Sequence, residues 1–190
     1  MGTSDQDFLQ RHRLTVDEYY RMAEVGVLRP DARVELIEGE IIDMASISSR
    51  HAGTVNRLAR LLTFAAGQRA VVSTQNPLRL DVHSEPEPDL MLLEPRADDY
   101  RSRHPAAADV LLLIEVAHSS ARYDREIKLP LYARHGVQEV WIVDLDHDVV
   151  RFHHTPVGGS YAHETFTASP GLTPVRALPG TTVDLTDLLR

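Results

Sequence analysis

The sequence predicts an α/β fold, a mixed β-sheet flanked by helices. Three observations carry that expectation. Val110–Ala117 is an apolar run broken by one acid, Glu115, and reads as a central strand. Residues 50–68 place Val55, Leu58, Leu62 and Ala65 on one face at helical spacing. Short apolar runs bounded by Pro, Gly and Asn alternate with such helical stretches along most of the 190 residues.

Each element has a local reason. Thr15-Val16-Asp17-Glu18 is a capping box, with Leu14 and Tyr19 placed as a hydrophobic staple, and opens a helix over 16–24 that stops at Gly26. Residues 34–44 read as a hairpin turning at Glu38-Gly39. Ser48 or Ser49 caps the helix of 50–68. Strands are expected at 70–74 and 78–82, separated by Asn76-Pro77, and at 89–93 after Pro86 and Pro88 force an extended approach. Residues 94–108 read as an exposed connection. Residues 121–135 are mostly helical and end at Gly136. Pro130 fits there if the regular helix begins two or three residues earlier, so that the ring lies in its first turn. Residues 137–144 and 149–154 read as strands, Gly158-Gly159 as a hairpin turn, and 161–166, 172–175 and 182–189 as weaker elements.

The first 13 residues are polar and expected to be loose, leaving 14–190 as one domain. There is no signal-peptide pattern, no apolar stretch long enough to span a membrane, and no cysteine for a disulfide, thiolate metal site or thiol nucleophile. A cytoplasmic location is the expectation. The net charge of −8 argues against strong non-specific nucleic-acid binding. A nuclease remains open, because acids that hold a divalent metal let the metal supply the positive charge.

Of the 20 basic side chains only Lys128 is lysine. Arginine fills every other cationic position, so a lone lysine suggests a site that needs a compact ammonium. Glu115 lies thirteen residues earlier, and an unpaired carboxylate in a core must be neutral, paired or bound to metal. Asp89 opens a strand just after Pro88, and Glu35 sits between Val34 and Leu36 on the first hairpin. Asp89 and Glu115 can hold one Mg²⁺ or Mn²⁺ with the backbone carbonyl of Val116 as a third ligand. Lys128 can then orient a water, and Glu35 can hold a second metal, Lys128 or a bound water. Plainer readings stand beside these. Taken alone, Glu35 reads as a rim carboxylate paired with arginine, and Asp89 reads equally as a turn residue. Glu115 and Lys128 read as a buried ion pair, Asp124 and Lys128 as a local helical pair, and Tyr132 as a packing residue. His51 reads as capping or packing, and the adjacent His153 and His154 point to opposite faces and do not share a metal.

In this order, an acid, Glu87-Pro88-Asp89-Leu90, Leu113-Ile114-Glu115-Val116 and Tyr123–Lys128 resemble the PD-(D/E)XK nuclease superfamily. Leu14–Tyr19, Val34–Glu40, His51 and above all Lys128–Val137 running into Glu139–Asp144 are similar to the Uma-type restriction endonuclease family. The similarity covers roughly residues 14–150. It implies a restriction-endonuclease-like fold and a divalent-metal-dependent DNA endonuclease. It also implies an acidic triad of Glu35, Asp89 and Glu115, with Lys128 as the lysine. Two departures matter. The superfamily's usual lysine position, two residues after the second acid, holds Ala117, so Lys128 must reach back from the next helix. Ala117-His118-Ser119 replaces the usual Leu-Ser-Pro, which puts His118 near the site either as an accident or to touch metal or phosphate. Cleavage of both strands would favour a homodimer. The alternative is a non-catalytic interaction module on the same fold, with the acids and Lys128 as a structural polar network. A hydrolase of small phosphate compounds would share the chemistry.

Overall fold

Val110–Ala117 forms strand β5, and all eight of its residues are buried. That is the expected fate of a near-continuous apolar run in the middle of a sheet. The computed structural model describes residues 11–29, 31–118 and 120–190; most of the loose segment expected over 1–13 lies outside them. The described chain divides into two compact units. One runs from the first described residues to Met44 and includes Asp81–Pro86; the other holds Ala45–Leu80 and Glu87–Arg190.

In the first unit, helix α1 (Val16–Glu24) is closed by the expected capping box, in which the Thr15 hydroxyl accepts from the Glu18 amide and the Glu18 carboxylate accepts from the Thr15 amide. Strands β1 (Val34–Ile37) and β2 (Glu40–Asp43) pair antiparallel around Glu38-Gly39, both at positive φ. Gly39 is needed for a second reason. A Cβ there would stand 2.6 Å from the Cβ of Arg13. Gly39→Ala is expected to cost about 1–3 kcal/mol, combining left-handed strain with this clash, and to lower the melting temperature by several degrees.

The second unit is built on a six-stranded sheet ordered β3-β4-β5-β6-β7-β8: Val71–Thr74, Leu90–Leu93, Val110–Ala117, Glu139–Asp144, Val149–Val157 and Ser160–Thr167. Only β5 and β6 are parallel, so the sheet is mixed as the sequence predicts. Helix α2 (Ser49–Ala66) is capped by the Ser48 hydroxyl, which accepts from the His51 amide. It buries Val55, Leu58, Leu62 and Ala66 on one sheet face against Leu90, Leu92, Leu112, Ile114 and Val116. The short hairpin of β9 (Leu172–Pro174) and β10 (Thr182–Asp184) leads into Leu185 and Leu188, which join Val175 and Val183 in the same core. The opposite face carries Met91, Leu93, Leu113, Ala117, Val140 and Ile142 beneath Ala121 and Tyr132. No helix among the described residues is long and apolar enough to cross a membrane.

Two expectations are corrected. Residues 78–82 form no strand. Arg79 makes a single bridge to Ala106, and Asp81 folds the chain into a turn by accepting from the His83 amide at 2.7 Å. The alternation of Leu78, Leu80 and Val82 is overridden by this turn chemistry. The helix after β5 also differs in its winding. It is helical from α3 (Ala121–Tyr123), passes through a π turn (Asp124–Lys128) and becomes α-helical again only at α4 (Leu129–Arg134). Pro130 is accommodated because the π turn precedes it, and α4 begins one residue before the ring. Single π turns inside helices occur often at functional sites.

Candidate active site

Leu90 pairs with Ile114 across β4 and β5, so Asp89 stands one position beyond that pair, opposite Glu115. Alternation turns Glu115 towards the helix that follows β5. There its Oε1 accepts from Lys128 Nζ at 3.1 Å and from the Tyr132 hydroxyl at 2.6 Å. The second carboxylate oxygen, Oε2, lies 3.4 Å from the Asp89 amide. Lys128 does reach back across the helix, and the structure brings Asp89, Glu115 and Lys128 together. Glu35 belongs to the first compact unit, where it pairs with Ile42 on β1 and is buried rather than standing on a rim.

Asp89 is fixed as closely. Its Oδ2 accepts from the Val116 amide at 2.9 Å and lies 3.1 Å from His51 Nε2 on the first turn of α2. Its Oδ1 lies 3.4 Å from the Gln75 amide nitrogen. His51 Nδ1 is buried without a hydrogen-bond partner. One strand therefore supplies Glu115 and the amide that orients Asp89, and the two helices supply the imidazole and the ammonium.

The electrostatics follow from burial. Glu115 and Lys128 are only 3% and 4% exposed. Loss of water pushes the Glu115 carboxyl up to about 8, with Asp124 and Asp89 pushing the same way and Lys128 and the Tyr132 hydroxyl opposing. Asp124 is itself buried and accepts from the Ser120 hydroxyl at 2.7 Å. Near neutral pH Glu115 therefore keeps a proton unless another cation takes its place. A divalent cation meets that demand, since its charge would offset both the desolvation and the neighbouring acids. Hard carboxylate oxygens from two adjoining strands are the donors Mg²⁺ and Mn²⁺ accept. Among the described residues, no group of three or more His, Cys, Asp or Glu could hold a metal ion.

Three contacts were not legible beforehand. The Tyr132 hydroxyl reaches Glu115 although the residue reads as packing. Its helical spacing from Lys128 was the available signal. His51 and Gln75 meet Asp89 from 38 and 14 residues away, with no local signal. His118, expected near metal or phosphate, places Nε2 3.7 Å from Asp146 Oδ1. His153 is buried while His154 stacks on His163, so the two do face apart.

A family model, Uma2, described as "Putative restriction endonuclease", matches residues 16–186. Among solved structures, a "putative nuclease belonging to DUF820" from Anabaena variabilis aligns with a TM-score of 0.69 at 18% identity, covering 93% of this chain and 97% of that one. At that identity the likeness shows the fold, a nuclease-type α/β architecture. No curated protein matches the chain.

Proposed function

The chain belongs to the Uma2 family, and we propose that it is a divalent-metal-dependent DNA endonuclease hydrolysing phosphodiester bonds. The observation that carries this reading is the meeting of Asp89, Glu115 and Lys128 around a carboxyl group that burial leaves short of positive charge. In this reading Asp89, Glu115 and the Val116 carbonyl hold Mg²⁺ or Mn²⁺. A metal bound there would polarise the phosphoryl oxygen and lower the pKa of a bound water. Val116 N–H and His51 hold Asp89 in one orientation. Lys128 donates to Glu115, and in this reading its ammonium would orient the attacking water once the carboxylate binds the metal. Cleavage of both strands would call for two copies of the chain.

The test is purified protein with Mg²⁺ or Mn²⁺ and plasmid or short duplexes. Wild type is expected to cleave, and Asp89→Ala is expected to lose at least ~100-fold in rate, since it removes a hard-oxygen ligand. Equal cleavage by both proteins, or none by either, would defeat the enzyme reading for these substrates.

One observation favours a second reading, a non-catalytic interaction module. The Lys128–Glu115–Tyr132 group is sealed from water and hydrogen-bonded, as a structural polar network would be. Thermal melting separates the two. A saturable rise with Mn²⁺ that disappears in Asp89→Ala supports the metal site, and no rise supports the module.

A further inference from the structure

The family-like run Glu139–Asp144 ends in an acid that the proposed chemistry does not use. The Asp144 side chain is fully buried at the end of β6, paired across the sheet with Ala117 of β5. Two basic side chains converge on it. His147 donates its backbone amide to Oδ1 at 3.1 Å and holds Nδ1 3.0 Å from both carboxylate oxygens. Arg125, on the π turn, holds Nη1 3.6 Å from Oδ2. That separation is too long for a hydrogen bond, so charge orients the guanidinium while its Nη1 donors stay available to another acceptor. Both side chains are accessible: those of Arg125 and His147 are 36% and 67% exposed.

The place matters as much as the contacts. Glu115 pairs with Ile142, and Asp144 lies two residues further along the same strand on the same sheet face. The Arg125–Asp144 pair is therefore displaced by roughly 6–7 Å along the strands from Glu115. Arg125 precedes Lys128 by three residues on one helical segment, so the same turn sends one cation to each acid. Both acids approach the C-terminal ends of the one parallel strand pair, where open α/β sheets receive ligands. The other carboxylates of this turn, Asp146 and Asp148, are paired with His118 and Arg50.

Resting on the nuclease reading above, we infer that Arg125, oriented by buried Asp144 and flanked by His147, binds a backbone phosphate of the nucleic acid beside the phosphate that is cleaved. Asp144 aims a planar fork of donors that matches phosphate oxygens, and a lysine there would offer only a point charge.

The experiment is fluorescence anisotropy of a labelled short DNA duplex with the full chain in Ca²⁺, across a salt series. Arg125→Gln is expected to weaken binding and to reduce the slope of log K against log salt by about 0.9, one phosphate contact. Arg125→Lys should restore the slope but not all of the affinity. Arg122→Gln, an exposed arginine paired with Glu126 on the same segment, should leave the slope at the wild-type value. An unchanged slope in folded Arg125→Gln, an equal fall in Arg122→Gln, or no duplex binding by wild type would each overturn the subsite. Should Arg125→Gln not fold, His147→Gln takes its place, because that side chain is exposed, and must weaken binding in the same assay. Metal-dependent cleavage that Asp89→Ala abolishes, together with an unchanged Arg125→Gln slope, would remove the subsite and leave the nuclease standing.

Discussion

Lys128→Met is expected to lose about 2–4 kcal/mol of unfolding free energy near pH 9, about 1 kcal/mol more than it loses near pH 6. Above about pH 8 the Glu115 carboxyl is ionised inside the protein, and Lys128 at 3.1 Å is its cationic partner. Removing the ammonium pushes the Glu115 carboxyl higher still, because Lys128 is what opposes burial, Asp124 and Asp89, so near pH 9 the folded variant must hold a proton that the wild type has released. Near pH 6 the carboxyl keeps its proton and stays in hydrogen-bonding distance of the Tyr132 hydroxyl, so only packing and one hydrogen bond are lost. Urea unfolding at the two pH values measures the difference. Glu115→Gln in the Lys128→Met background should abolish the extra loss at high pH, because the group that titrates has gone. A loss of the same size at both pH values would mean that Lys128 stabilises by packing alone, and the ion pair would then contribute nothing.

The same site shows which parts of this molecule can be read from sequence. β5 was legible because eight consecutive buried positions leave no room for alternation, and Glu115 stood out as the residue that such a strand should not contain. Asp89 was marked by Pro88, and Lys128 by the absence of any other lysine. These are local signals, and the ordered motifs around them sufficed to name the family. The Tyr132 hydroxyl and Gln75 were not legible as site residues, and His51 was marked only as a position similar to the family, because each finds its partner through the tertiary fold. The partners lie 17, 38 and 14 residues away, and the one periodic hint is the helical spacing of Tyr132 from Lys128. The π turn was equally silent, since its side chains keep an ordinary helical pattern and only the hydrogen-bond register changes. Residues 78–82 misled for the opposite reason. Their strand-like alternation is real, but Asp81 closes a turn that a strand would have to break.

The metal-free protein is expected to lose stability as pH rises from about 4.5 to about 8, and Glu115→Gln is expected to abolish that slope. Glu115 titrates near its ordinary 4.5 when unfolded and near 8 when folded. Between those values the native state holds a proton that the unfolded state has released, so raising the pH favours unfolding. Below the interval both states are protonated, and above it both are ionised and the full penalty is present. At about 1.4 kcal/mol per pH unit the interval is worth on the order of 5 kcal/mol, making this one of the largest single-residue pH effects available to the chain. Glu115→Gln keeps the shape and removes the titration, so its unfolding free energy should change little over the window. Mn²⁺ should flatten the wild-type slope in the same way, because a cation bound at the carboxylates replaces the proton and is itself held more tightly as that proton leaves. Isothermal calorimetry near pH 6.5 should then record about one proton released per Mn²⁺ bound, and almost none near pH 9. A slope that survives Glu115→Gln would assign the titration to another group. A slope that Glu115→Gln removes but Mn²⁺ leaves untouched would mean that Glu115 is a buried structural acid, and the interaction-module reading would be the correct one.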